Sequence, residues 1–351
     1  MTVFYIVVAI LLFGLLILVH EFGHFVTAKL SGVRVNEFAL FMGPAIWKKQ
    51  KGETLYALRC IPIGGYCAME GEDDDSDDPR SFGKAKLWKK LIILVAGSFM
   101  NFLAGFVILL LLFAFSFSYI PSRQVAQIAP ERPFAQHIQV GDSFYEIDGR
   151  RVYIQQDITL LLDRDTDGLH DITVIRNGEK VYLEDVPMSR DYVGEDGIAR
   201  YGFNIDAEEK TFGSVLSYSW NSAIDFVRMV PMSLGDLFSG RASVKDVSGM
   251  VGIVDVVVEQ GTQAETVGIG LSNVLYLFAF VAVNLAVMNL LPIPALDGGR
   301  VMTLLLTTLI EKIIGRKLNP KYEAYLNGAF MILLLGLIAV ITLKDIFQLF
   351  R

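Results

Sequence analysis

Two histidines and a glutamate stand within five residues of one another, His20-Glu21-Phe22-Gly23-His24, in a stretch otherwise free of charge. On a helix, residues four apart lie about 40° apart on one face and one turn along, so His20 and His24 can offer two imidazoles to one cation. Glu21 stands beside them without being needed as a ligand. There a carboxylate can take a proton from water acidified by a metal. Ionisable side chains inside an apolar segment are costly unless paired or metallated, so three in five residues point to a metal site. A catalytic zinc takes three protein ligands and keeps one position open. Asp297, in Asn289-Leu-Leu-Pro-Ile-Pro-Ala-Leu-Asp-Gly-Gly299, is the acidic residue embedded in a long apolar segment of the second half, and is the candidate third ligand. Its alternative is a helix cap at a Pro-Gly turn. Two imidazoles and one carboxylate suit Zn2+.

The elements that must carry these groups are membrane spans. Of 351 residues, 53% are hydrophobic and 20% charged, with mean hydropathy +0.45, which excludes an ordinary soluble protein. The 24 Phe exclude a disordered chain, and a formal charge of -7 argues against nucleic acid as a partner. Cys60 and Cys67 are too few for a disulfide scaffold and read as small buried side chains. Residues 1–30 form a first span, apolar over Val3–Val19 and again over Phe25–Ala28. Leu91–Ile120 forms a second. Residues 271–310 hold the third, with Leu271–Leu296 free of charge and Val301–Ile310 a half-buried helix leading out of it; residues 324–351 hold the fourth, over Ala324–Leu343. The first span lacks a basic n-region and a small-x-small cleavage site, so it is expected to be retained.

Basic residues mark cytosolic loops. Eleven fall between Lys29 and Lys90 and four between Glu311 and Glu323, against 13 in the 150 residues from Pro121 to Gly270 and none in residues 1–28. The N-terminus, the large middle segment and the C-terminus are therefore expected outside, and the loops 31–90 and 311–323 in the cytosol. His20 lies about 26 Å into the first span, and Asp297 lies past the proline break of the third, which runs the same way. Both emerge towards the cytosolic side and can meet.

This set of residues resembles the site-2 protease family, and within it the bacterial RseP-type intramembrane metalloproteases. The likeness rests on His-Glu-Phe-Gly-His, on Asn-Leu-Leu-Pro-Ile-Pro-Ala-Leu-Asp-Gly-Gly, on Gly64-Gly65 in the first cytosolic loop and on Asn101 in Gly97-Ser-Phe-Met-Asn-Phe102. It implies that His20, His24 and Asp297 are zinc ligands and Glu21 the general base. It also implies the bacterial cytoplasmic membrane as location. Substrates would be single-span membrane proteins: anti-sigma factors, other membrane regulators or signal-peptide remnants.

Around the spans, Val33–Leu40 and Thr54–Ile63 alternate apolar residues about a Lys51-Gly52-Glu53 turn and read as a β-hairpin dipping towards the site, where an extended substrate could pair by strand addition. The resemblance makes it a membrane-reentrant element. Gly64 and Gly65 are candidates for close substrate approach, as are the amides Asn284 and Asn289; a simple turn and interhelical hydrogen bonding are their alternatives. The acidic run Glu70–Asp78 reads as a solvated loop, and Lys84, Lys86, Lys89 and Lys90 around Trp88 as an interfacial anchor. Residues 121–208 turn globular, with turns at Gly141-Asp142, Asp148-Gly149 and Asn177-Gly178. Their Pro133-Phe-Ala135, Val140-Gly-Asp142, Ile147-Asp-Gly149 and Ile172–Gly178 resemble one PDZ domain, where many RseP-type proteins carry two. His137 and His170 there read as solvated. In 209–270, Phe212–Phe238 carries an apolar stripe at helical spacing suited to the outer membrane face, and Ser248–Ile253 resembles the family's approach to the third span.

The sequence thus predicts a multi-pass α-helical membrane protein with four transmembrane helices, a reentrant β-hairpin and one extracytoplasmic PDZ-like α+β domain. Its expected activity is intramembrane zinc endopeptidase, with the lipid bilayer and single-span substrates as partners. A metal transporter would need ionisable groups tracing a path through spans two and four, and Leu91–Ile120 and Ala324–Leu343 hold no Asp, Glu, His, Lys or Arg. A catalytically silent PDZ scaffold would leave Glu21 without a purpose.

Overall fold

The computed structural model describes residues 1–72, 76–164, 167–193, 198–243, 249–316 and 321–349. In chain order the elements are α1 (Thr2–Leu30), β1 (Val35–Lys51), β2 (Thr54–Met69), α2 (Leu87–Phe115), β3 (Ile120–Ile128), β4 (Ser143–Ile147), β5 (Arg150–Arg151), α3 (Gln155–Leu162), β6 (Leu169–Arg176), β7 (Glu179–Pro187), β8 (Tyr192–Val193), β9 (Ala199–Arg200), β10 (Phe203–Glu208), α4 (Phe212–Phe238), α5 (Met250–Thr262), α6 (Val267–Asn289), α7 (Asp297–Ile314) and α8 (Lys321–Leu349). Among the described residues, four helices are long and apolar enough to cross a membrane: α1, α2, α6 and the Gly328–Asp345 part of α8. The chain divides into two compact units, Met1–Ile108 with Phe226–Arg351, and Leu109–Asp225.

In the first unit the polar insert at residues 20–24 leaves α1 unbroken, because neither His nor Glu opposes helix. Tyr5, Ala9 and Leu16 of α1 pack with Val257 of α5 and with Val274, Phe278, Val281 and Ala282 of α6. Two glycines make the slot for Tyr5: a Cβ on Gly261 would come within 2.4 Å of its ring, and one on Gly270 within 2.3 Å of its hydroxyl. A second cluster joins Ala28 at the end of α1, Val33 and Val35 at the start of β1, Cys67 and Met69 of β2, and Ile93 and Leu94 of α2, with Val301 and Leu304 of α7 packed against it. This cluster fixes the end of α1 that carries the histidines.

The hairpin is longer than the alternation suggested, and it folds back on itself. Beyond the tip, where Gly52 takes φ 61°, Lys51 pairs with Thr54 and Trp47 with Leu58. The stretch Glu37–Leu40 then lies between Leu55–Leu58 on one side and Gly65–Ala68 on the other. Cys60, in the connecting stretch, is exposed, which corrects the expectation that it is buried; Cys67 is buried as expected. Polar side chains hold the assembly from outside: Lys29 and Arg80 both bond Glu53, Arg59 pairs with Glu37 at 2.6 Å, and Asn36 donates to Glu70 at 2.7 Å.

Two spans differ from the apolar runs that marked them. α2 begins at Leu87, because Lys89 and Lys90 find carbonyl acceptors on Ser31 and Gly83 at 2.7 Å each and so stay in the helix. It ends at Phe115: Pro121 biases Ile120 to extended backbone, and that residue opens β3 instead of closing the span. The third segment is two helices. Pro292 and Pro294 end the first, Ala295 takes φ 78°, and α7 restarts at Asp297. Gly298 and Gly299 are required here, since a Cβ on either would lie 2.2 Å from the Leu290 carbonyl or 2.1 Å from that of Ile293. α5, of which only the approach to the third span was expected, is a separate helix; Ser248 lies outside the described residues.

The second unit is a sheet in the order β10-β3-β4-β6-β7, with β5 paired to β4. Phe134, Phe144, Ile147, Ile158, Leu161, Ile172 and Val174 are buried, the Ile158 and Leu161 side chains coming from α3. Asp148-Gly149 and Asn177-Gly178 all take positive φ, the requirement of tight hairpin turns. Arg176 forks onto buried Asp142 at 2.7 and 2.8 Å. His170 is not solvated: it is 1% exposed and its Nδ1 lies 2.7 Å from Asp148.

Candidate metal centre

Near its end, α1 presents His20 and His24 one turn apart, and α7 begins with Asp297 facing them. The His24 and His20 Nε2 atoms are 3.2 Å apart, and Asp297 Oδ2 lies 3.3 Å from His20 Nε2 and 3.4 Å from His24 Nε2. Among the described residues these three form the group of His, Cys, Asp or Glu whose ligand atoms converge as for a metal. The spacing discriminates between a hydrogen-bonded triad and a ligand set. It is long for charge-assisted hydrogen bonds, and Asp297 Oδ2 is buried without a hydrogen-bond partner. Four ligands arranged tetrahedrally at about 2.0–2.1 Å put donor atoms about 3.3–3.4 Å apart, which is the separation observed. The residues fit the ion.

α2 supports this set. His24 Nδ1 donates to the Ile93 carbonyl at 2.8 Å, which leaves Nε2 with its lone pair towards Asp297. Gly97, one turn on, is a glycine for the same reason: its Cβ would stand 2.3 Å from His24 Nε2 and 2.7 Å from His20 Cε1. Asn101, one turn further, brings Nδ2 to 3.4 Å from His20 Nδ1. On the other side Gly23 lets α1 touch α2, since a Cβ there would fall 2.5 Å from the Ala96 carbonyl.

A cavity of about 500 Å³ opens on the three ligand atoms and is lined by Glu21, by Gly65–Met69 of β2, by Asn289 and Leu296, and by Glu72 and Arg300. A Cβ on Gly65 would reach within 3.1 Å of the Glu21 side chain, so that strand runs close past the glutamate. Gly64 and Asn284 are not on its wall: Gly64 turns the chain at φ 67°, and Asn284 is half-buried within α6 with Oδ1 unpartnered. Arg300 and Glu72, both on the cavity wall, pair at 2.5 Å. Neither was singled out as functional; Glu72 belongs to the acidic run read as solvated, of which residues 73–75 lie outside the described residues. The spacing of Arg300, one turn after Asp297, was the available signal.

Similarity to known proteins gives the family. The family model described as Peptidase family M50 matches residues 8–337. The chain belongs to peptidase family M50. It is 35% identical over 346 residues to a Clostridium perfringens protein that carries a zinc metalloprotease name, covering 97% of this chain and 98% of that one. It is 34% identical over 352 residues to a similarly named protein of Fusobacterium nucleatum, and 26% identical over 425 residues to the regulator of sigma-W protease RasP of Bacillus subtilis, with at least 97% of both chains covered in each case. The alignments run essentially end to end.

Proposed function

We propose that this chain is a zinc endopeptidase that hydrolyses peptide bonds of membrane-spanning substrates, with His20, His24 and Asp297 as the ligands and Glu21 as the general base. The observation that carries this reading is the near-equal spacing of three donor atoms, at 3.2–3.4 Å, in a cavity that also holds Glu21. Zinc bound there supplies Lewis acidity, lowering the pKa of water and polarising a carbonyl.

The chain's own residues do the rest. The Glu21 carboxylate takes the proton of the attacking water and delivers it to the leaving amine nitrogen, so hydrolysis needs no covalent intermediate. A helical substrate hides its carbonyls within its own hydrogen bonds and must be extended to react. The Gly65–Ala68 stretch, paired on one side with Glu37–Leu40 and facing the cavity on the other, supplies a backbone edge for such a strand. Gly64 frees the turn into that edge, Asn289 offers an amide at the cavity wall to an unwound carbonyl, and Asn284 stands one turn deeper in α6. The β1–β2 assembly is accordingly the membrane-reentrant element, and the sheet of the second unit a PDZ-like module facing outside that admits substrates lacking bulky ectodomains. The distribution of positive residues supports a metal site towards the cytosol of a bacterial cell.

The test is cleavage of a synthetic transmembrane peptide by the purified chain, beside Glu21→Gln. The variant is expected to keep one zinc per chain and lose activity by about 10²-fold or more, and a chelator to silence the wild type. Cleavage that persists in Glu21→Gln would remove Glu21 from the role; zinc transport without cleavage would replace the enzyme by a transporter.

A further inference from the structure

Resting on the zinc reading above, we infer that Asn101 is a positioning residue: its side-chain oxygen accepts the Nδ1 proton of His20 and so fixes the tautomer that leaves His20 Nε2 free for the metal. Three residues of α2 spaced by four, Ile93, Gly97 and Asn101, form one stripe against the histidines. The first serves His24, whose Nδ1 proton goes to the Ile93 carbonyl at 2.8 Å. The second is bare and lets both rings approach. The third stands to His20 as the Ile93 carbonyl stands to His24.

Asn101 is 2% exposed, deep in an apolar helix where an amide is costly without partners. Its Nδ2 lies 3.4 Å from His20 Nδ1, while its Oδ1 is buried with no partner. A ligating His20 carries its proton on Nδ1, so an NH2 facing it sets donor against donor. Turning the amide by half a rotation gives that proton an acceptor and brings the orphaned oxygen into use, and the two orientations of an amide fill the same space. With Nδ2 donating instead, the proton would sit on Nε2 and block the metal. One helix then sets the tautomer of both imidazoles, by a backbone carbonyl for one and by a side chain for the other. Partners of this kind contribute about 10–100-fold in metal affinity.

The experiment is zinc titration of the full-length chain in detergent against a chromogenic chelator, for wild type, Asn101→Leu, Asn101→Asp and His20→Ala, with the thermal midpoint of the zinc-free proteins recorded alongside. Asn101→Leu is expected to bind zinc about 10–100-fold more weakly. Asn101→Asp, which keeps an acceptor in place, is expected to stay within about threefold of wild type. Equal affinity for wild type and Asn101→Leu, or equal weakening in Leu and Asp variants whose zinc-free midpoints match wild type, would overturn the role of Asn101. Undiminished zinc binding by His20→Ala would instead overturn the ligand assignment on which it rests.

Discussion

Gly97 is the residue at which sterics alone decide the chemistry. A methyl group there would stand 2.3 Å from His24 Nε2, inside any allowed contact, and the His24 ring is tethered to the same helix by its Nδ1 bond to the Ile93 carbonyl at 2.8 Å. Gly97→Ala is therefore expected to weaken zinc binding by at least about tenfold and to abolish cleavage, while leaving helix content by circular dichroism unchanged. Unaltered zinc affinity in this variant would mean that α2 does not back the metal site. The His20–His24 pair proposed as ligands was legible in the sequence, because a four-residue spacing is a property of one helix. Gly97 and Asn101 were legible only as a likeness, because their importance depends on which face of α2 meets α1. His170 and Cys60 were misjudged because burial depends on the fold around a residue: His170 is covered beside Asp148, 22 residues away in the chain, and Cys60 falls where the hairpin turns back.

Among the elements, the β1–β2 assembly joins the metal site to its surroundings at both ends. Gly65–Met69 lines the cavity, and the distal turn is held by Glu53, which bonds Lys29 at the end of α1 and Arg80 beyond the acidic run. Those two cations hold the Glu53 carboxyl down at about 2, below the usual carboxylate range. A carboxyl whose folded pKa is depressed contributes stability that is present above its unfolded value and lost as pH falls towards the folded one. Between about pH 6 and about pH 3, amide exchange around Lys51–Leu55, corrected for intrinsic rates, is expected to accelerate; Glu53→Gln should already be fast at the higher pH. Protection that is the same at both pH values would show that the turn is held by its backbone alone. The alternation of apolar residues revealed the hairpin and its turn, but not its folding back on itself. A period of two reports which face of a strand is apolar, not how many neighbours it has. The break between α6 and α7 was announced by Pro292 and Pro294, and the end of α2 was hidden because an apolar run reads alike as helix or strand until Pro121 intervenes.

On the scale of the whole molecule, four apolar helices, a match to peptidase family M50 over residues 8–337 and a convergent His-His-Asp set describe a membrane peptidase. Its central demand is physical: a water-consuming reaction has to be housed where lipid would exclude water. The cavity of about 500 Å³ meets that demand, being lined by Glu21, Glu72, Asp297, Asn289 and Arg300 beside the apolar Leu94, Leu296 and Met331. The polar wall comes from both ends of the sequence, from α1, the loop after β2, the end of α6 and the start of α7. Everything therefore turns on whether one ion is shared by α1 and α7.

X-ray absorption at the zinc edge, on the full-length chain loaded with one equivalent of zinc, addresses that sharing most directly. The predicted spectrum has only nitrogen and oxygen neighbours at about 2.0–2.2 Å, with two imidazoles, and Asp297→Ala changes this shell while His20→Ala removes an imidazole from it. A sulfur neighbour at about 2.3 Å, or a shell unaltered by Asp297→Ala, would contradict it.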